Sequence, residues 1–163
     1  MGMNRLSGRP ADDEIERIVN TYGPALFRLS LMMLGREMDA EDAVSETMLR
    51  YIRKTPEFRD SGHERAWLYT VAANICRDML RKRRRTVSLD QAELMDYAQE
   101  PEDRTVLEAL GRLPEKYRTV LYLCYVEGYK SREIGAMLGL SSGTVRKRLQ
   151  YARRLLKLEY EQE

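Results

Sequence analysis

The chain has 163 residues, 43% hydrophobic and 33% charged, with a formal net charge of +2; that is enough for one ordinary domain or two small ones and excludes a disordered protein. Cys76 and Cys124 stand far apart with no CxxC pair, and His63 is the only histidine, which excludes a disulfide framework and the common zinc patterns. No run of about 18 apolar residues occurs and the opening MGMNRLSGRPADDE has no apolar signal core, so the expectation is a soluble cytoplasmic protein with no membrane insertion.

Residues 12–35 predict helix in two pieces, because Gly23-Pro24 interrupts the pattern between Ile15, Ile18, Val19 and Leu26, Leu29, Met33. Gly35 closes it. The next helix takes Asp39 as its cap, with Asp42 three residues on at the positive end of the dipole, and runs to about Lys54. Its expected inward stripe is Ala40, Ala43, Val44, Met48 and Ile52; Leu49 falls on the charged face with Asp42, Glu46, Arg50 and Arg53. A loop from Thr55 to His63 carries the apolar Phe58. Glu64 to Arg84 then predicts a long helix with two faces: Leu68, Val71, Ala72, Ile75 and Met79 on one, and Thr70, Asn74, Arg77, Asp78 and Arg81 on the other, with Trp67 beside it. Asp78 is placed to pair with Arg81 or Lys82 along the helix.

From Thr86 to Arg104 the periodicity fails and acids dominate, with Asp90, Glu93, Asp96, Glu100, Glu102 and Asp103. This is the expected linker, 86–104. Six cations lie between Arg77 and Arg85 and six more between Arg146 and Lys157, so two basic patches flank an acidic connector, a pattern suited to two contacts on one polyanion. A second module starts near Thr105 with a short helix carrying Val106, Leu107 and Leu110. Leu113-Pro114 opens another, with Tyr117, Val120, Leu121 and Cys124 inward and Gly128 at its end.

The stretch YKSREIGAMLGLSSGTVRKRL, Tyr129 to Leu149, reads as helix, tight turn, helix. Ile134, Met137 and Leu138 recur at helical spacing, Gly139 supplies the turn, Leu140 plugs back inward, and Ser141 caps the second helix. Val145, Leu149 and Ala152 continue the inward stripe to about Tyr160. Facing outward are Ser142, Thr144, Arg146, Lys147 and Gln150, short polar groups followed by long cations, which suit a helix end in a DNA major groove. No strand-like alternation occurs anywhere, so the fold expected is all-α: two small helical bundles joined by a flexible acidic linker, the C-terminal one containing the helix-turn-helix.

Four stretches in order, DAEDAVSETMLRYIRK, ERAWLYTVAANICRDMLRKRRR, LGRLPEKYRTVLYLCYVEG and SREIGAMLGLSSGTVRKRL, resemble the ECF (extracytoplasmic function) group of bacterial RNA polymerase sigma factors. The resemblance implies region 2 at 10–85 and region 4 at 105–163. Carried over by position, it implies core-polymerase contacts at Glu41, Asp42, Glu46, Leu49 and Arg50. It implies a pocket for a flipped minus-10 base at Phe58 and Asn74 beside Trp67, strand phosphates on Arg77, Arg81, Lys82, Arg83 and Arg84, and the minus-35 major groove on Ser142, Thr144, Arg146, Lys147 and Arg148. Core RNA polymerase, promoter DNA and an anti-sigma factor are the implied partners; no cofactor, metal or catalysis is implied. The chain departs from the family at Ser45 and Met48, where glutamine and an aromatic are frequent, and at Gly135, where alanine is usual.

Two other readings compete. One is a stand-alone helix-turn-helix transcriptional regulator, whose N-terminal helices dimerise or sense a signal. The other is a hydrolase or metal-dependent nuclease using Asp39, Glu41, Asp42 and Glu46, although no histidine or nucleophile accompanies those acids.

Overall fold

The computed structural model describes residues 11–54, 56–83 and 108–161, with side chains to residue 157. Among the described residues there is no strand, and every regular element is helical. The linker expected at 86–104 lies outside the described residues, as do Arg84, Val106 and Leu107.

Helix α1 runs from Asp12 to Leu34 without a break. Asp12, Asp13 and Glu14 in its first turn meet the positive end of the dipole, and Gly35, at φ 75°, donates its N–H to Leu31 O at 2.8 Å to close it. The two-piece expectation is therefore corrected. Pro24 sits on the exposed face, four residues after exposed Asn20, so the helix loses one hydrogen bond where water can replace it. Tyr22, Leu26 and Leu29 pack on the opposite face and hold the helix across the proline.

Helix α2 spans Glu37–Lys54. Asp39 lies inside its first turn rather than at the cap, and forms an ion pair with Arg83 of the third helix. The deepest residues are Ala40, Ala43, Thr47 and Tyr51; the predicted Val44, Met48 and Ile52 are only partly buried. Two polar side chains reach the interior because each has a partner there. The Thr47 hydroxyl donates to Ala43 O at 2.7 Å, and the Tyr51 hydroxyl to Glu14 Oε1 at 2.8 Å.

Helix α3, Ser61–Arg83, starts three residues before the predicted Glu64. Asp60 makes the start, accepting from His63 N at 2.8 Å. Leu68, Ala72 and Ile75 are buried as expected, joined by Tyr69, Ala73 and Cys76. The buried arc is wider than one face because α1 and α2 cover one side of α3 and the second bundle covers another. Burial pushes the Cys76 thiol up to about 12, which leaves it an inert apolar filler.

In the second bundle a single helical turn at 108–111 leads to α4, Glu115–Leu121, with Pro114 at its N-cap. The chain continues from α4 as one turn of π-helix, Tyr122–Val126, and Gly128 ends that run at φ 77°. Helices α5, Ser131–Leu138, and α6, Ser142–Glu161, complete the bundle, and α6 packs on both α4 and α5. The two bundles also pack on each other, α1 against α4 and α3 against α5, so one apolar core runs from Ile18 and Leu26 through Val120 to Ile134 and Leu149. Full burial of an aliphatic side chain contributes roughly 2 kcal/mol, so this shared packing outweighs helix propensity in holding the elements.

Candidate nucleic-acid and partner interfaces

The helix-turn-helix forms as its residues predict. Ile134, Met137 and Leu138 are buried, Gly139 turns at φ 70°, and Val145, Leu149 and Ala152 line the inward side of α6. Ser141 Oγ accepts from Thr144 N at 3.1 Å and lies 2.9 Å from Thr144 Oγ1. Ser142 and Thr144 are half-exposed at the N-terminus of α6; Arg146, Lys147 and Gln150 are exposed, and Arg146 Nη1 donates to Ser142 Oγ at 3.4 Å. Helix start, hydroxyls and cations thus converge on one end of one helix, the arrangement for reading base edges while holding phosphates. Arg148 departs from this group. It is half-buried and lines a cleft of about 210 Å³ between the bundles, with Met33, Arg77 and Leu80 on the far wall.

Gly135 has a physical reason of its own. A β-carbon there would stand 2.5 Å from the carbonyl oxygen of Leu140, and Leu140 N donates back to Gly135 O at 2.9 Å. The turn therefore folds closer onto α5 than an alanine allows.

On the first bundle, Phe58 belongs to an aromatic cluster. Its ring stacks on Tyr51 with centroids 6.4 Å apart and meets Trp67 at 5.9 Å and His63 at 5.3 Å, both edge-on. Trp67 is half-buried against Tyr51 and Phe58, a core-edge residue with one side toward solvent. Beside Phe58 lies a cavity of about 290 Å³ walled by Glu14, Arg17, Asp60 and Glu64. Asn74 is seven residues beyond Trp67, two helical turns or about 10 Å along the axis. Its amide oxygen accepts from Arg77 Nη2.

The cations of α3 do not share one environment. Arg81 pairs with Asp78 at 2.9 Å as the sequence suggests, and both it and Lys82 are exposed. Arg83 is tied to Asp39 and to Leu34 O, the last carbonyl of α1, and burial pulls its pKa down. Arg77 is half-buried, with its Nε buried and unpartnered and its guanidinium against the Gly139 turn.

On α2, Glu41 and Asp42 are exposed and Glu46 and Arg50 half-exposed, the last two joined at 3.4 Å. Leu49 keeps 44% of its surface in water on that same face. The apolar side chain is thus left partly in water beside the Glu46–Arg50 pair.

Two features escape sequence reading. Arg118, fully buried, donates from Nε to Met32 O at 2.6 Å and from Nη1 to Leu113 O at 2.9 Å. Burial pulls its pKa down to about 10, opposed by Glu115, so it remains a cation at neutral pH. Glu127, with 5% of its side chain exposed, takes Arg65 as an ion pair and accepts from the hydroxyls of Tyr69 at 3.0 Å and Tyr122 at 2.5 Å. Burial first, then Glu127 as a hydrogen-bond acceptor, raises the Tyr122 pKa. Sequence pattern singles out neither residue, because Met32 O for Arg118, and Arg65 and Tyr69 for Glu127, lie on elements distant along the chain.

Among the described residues no group of histidine, cysteine or carboxylate side chains is arranged to hold a metal, and no helix is long and apolar enough to cross a membrane.

Residues 18–86 match Sigma-70 region 2 and residues 103–156 match Sigma-70, region 4. Together with the helix-turn-helix, these matches define a sigma-70-type transcription initiation factor. The ECF RNA polymerase sigma factor SigL of Mycobacterium tuberculosis is 34% identical over 168 residues, covering 96% of this chain and 95% of that one. SigE of Mycolicibacterium smegmatis, also an ECF RNA polymerase sigma factor, is 30% identical over 154 residues, and the match spans 60% of its length. The chain belongs to the ECF group of RNA polymerase sigma factors. Two solved structures share the fold. The sigma factor RpoE, in complex with the anti-sigma factor NepR from Bartonella quintana, has a TM-score of 0.70 at 22% identity, covering 91% of this chain and 98% of that one. CnrH, in complex with the cytosolic domain of CnrY, has a TM-score of 0.67 at 26% identity, covering 94% and 91%.

Proposed function

We propose that this chain is an alternative sigma factor that binds core RNA polymerase in the cytoplasm, recognises minus-35 and minus-10 promoter elements, and promotes DNA opening without making or breaking a covalent bond. The observation that carries this is the ordered pair of region 2 and region 4 matches on two helical bundles, the second presenting Ser142, Thr144, Arg146 and Lys147 at the start of a helix. In this reading residues 10–85 are region 2, 86–104 the linker and 105–163 region 4.

The work divides by chemistry. Glu41, Asp42, Glu46, Leu49 and Arg50 dock on polymerase. Phe58, Trp67 and Asn74 receive an unstacked base of the non-template strand, offsetting the few kcal/mol that unstacking costs. Arg77, Arg81, Lys82, Arg83 and Arg84 hold its phosphates, and the α6 face with Arg148 fixes register upstream. An anti-sigma factor is proposed as a further partner. The exposed apolar pair Tyr125 and Val126, beside Leu121 and Leu156, offers it a surface.

Core polymerase with and without the protein on a cognate promoter tests the reading: specific initiation rises when the protein is added, and no rise overturns it. A stand-alone regulator would instead shift a short duplex tightly without polymerase; the region 2 match across residues 18–86 weighs against that.

A further inference from the structure

Cations gather around the cleft beside Arg148 without acids to match them. The cleft has a volume of about 210 Å³, and its charged lining is Arg77 from α3, Glu115 and Lys116 from α4, and Arg148 from α6. Glu115, the one carboxylate of the four, acts on buried Arg118, where it opposes the effect of burial. Among the described residues Arg148 has neither an ion pair nor a hydrogen-bond partner. Arg77 gives one donor to the neutral amide oxygen of Asn74, and its Nε is buried with no partner at all. Two arginines and a lysine therefore share one gap with their charge unneutralised.

The surroundings make that costly. Met33, Leu80, Leu138 and Leu140 supply apolar wall between the cations, and beside such a wall water screens charge less than it does on open surface. An anion placed between the cations turns the repulsion into attraction. At roughly 30 Å³ per water the cleft has room for about seven waters, enough for a phosphate or pyrophosphate group. It falls short of the roughly 300 Å³ from which pockets enclose drug-sized ligands, so a whole nucleoside does not fit inside.

We propose that this cleft is a binding site for a compact phosphate anion of about pyrophosphate size, held by the guanidinium groups of Arg77 and Arg148 with Lys116 as a third positive charge. Arginine forks take phosphate oxygens two at a time, whereas the lysine adds a point charge. Nothing in the charge or size of the cleft depends on the sigma-factor reading.

The full chain, free of any affinity tag, is titrated with sodium pyrophosphate by isothermal titration calorimetry at fixed physiological ionic strength. One saturable site per chain is expected. Arg77→Gln and Arg148→Gln are each expected to weaken it about tenfold or more, the worth of a hydrogen bond to a charged group. Arg154 is exposed and lies six residues, or about 9 Å along the helix axis, beyond Arg148. Arg154→Gln removes the same charge from outside the cleft, beyond the reach of screened electrostatics, and is expected to change affinity by less than about twofold. Lys116 is exposed, so Lys116→Gln serves if an arginine variant loses its helical circular dichroism. It is expected to weaken pyrophosphate about threefold while leaving the anisotropy titration of a fluorescein-labelled oligo(dT) of about 15 nucleotides unchanged. The absence of saturable binding, affinity that survives the cleft variants, or equal weakening by Arg154→Gln each overturns the site. Parallel loss of pyrophosphate and oligo(dT) in Lys116→Gln assigns the cleft to backbone phosphates and overturns it as well. Initiation with core polymerase is read separately, so the site and the functional reading can fail independently.

Discussion

Arg118 closes the C-terminus of a helix that is not its own: its Nε donates to Met32 O at 2.6 Å across 86 residues of chain. The last turn of α1 has no basic residue, and its carbonyl end is negative. A cation from α4 supplies what α1 lacks, and with Arg83 on Leu34 O two of the helix's final carbonyls are satisfied from outside.

Arg118→Met keeps the volume and removes the donors. It leaves Met32 O and Leu113 O without partners and is expected to cost about 2–4 kcal/mol. Urea unfolding checks this, the midpoint falling at unchanged slope; a loss below about 0.5 kcal/mol, the range of an ordinary surface substitution, would contradict it.

Gly135→Ala puts a methyl 2.5 Å from the Leu140 carbonyl, a backbone atom that cannot move without opening the turn. The expected cost is about 1–3 kcal/mol, the usual range for overpacking, with weaker upstream DNA binding alongside. A thermal melt equal to the parent's would show that the turn relaxes freely.

Leu49→Ala is expected to leave stability within about 0.5 kcal/mol, because the side chain is already 44% exposed. Capture by immobilised core polymerase should nonetheless weaken. If binding holds while stability drops, Leu49 is a packing residue and the α2 face is wrongly assigned.

Asn74→Ala and Arg146→Ala separate the two anchors. The first is expected to impair promoter opening, read by permanganate reactivity of unpaired thymines, more than upstream duplex binding. The second is expected to do the reverse and to lower the salt slope of binding by about 1, one phosphate contact. Equal effects of both on both measurements would reject the division.

How much of this was legible in the sequence depended on how local the controlling interaction is. The helix-turn-helix was readable because its determinants, Ile134 to Leu138, Gly139 and Ser141, act within ten residues of one another. Asp78 with Arg81 was readable for the same reason. Pro24 misled because a proline on an exposed face costs one replaceable hydrogen bond, and the packing of Leu26 and Leu29 outweighs it. Thr47 and Tyr51 were missed as core because their burial depends on Ala43 O and Glu14. Arg77 was read as a free cation for the strand; its neighbour Gly139 lies in the other bundle, and no periodicity reports that.

The π-helical turn at Tyr122–Val126, where Glu127 N reaches back five residues to Tyr122 O at 3.1 Å, carries one residue more than α-helical winding needs. Deleting a single residue inside that turn would let the helix rewind regularly, with Glu127 N reaching back four residues to the same Tyr122 O, whereas a deletion where the winding is already α-helical rotates everything beyond by about 100°. Glu127 would keep its side of the helix, facing Arg65 and Tyr69, and the apolar stripe of α4 before it would stay in place. The wide turn therefore acts as a phase keeper: it absorbs the surplus residue without changing the angle at which the second bundle presents its carboxylate to the first, and makes that alignment more tolerant of a one-residue deletion within the turn than a regular helix is.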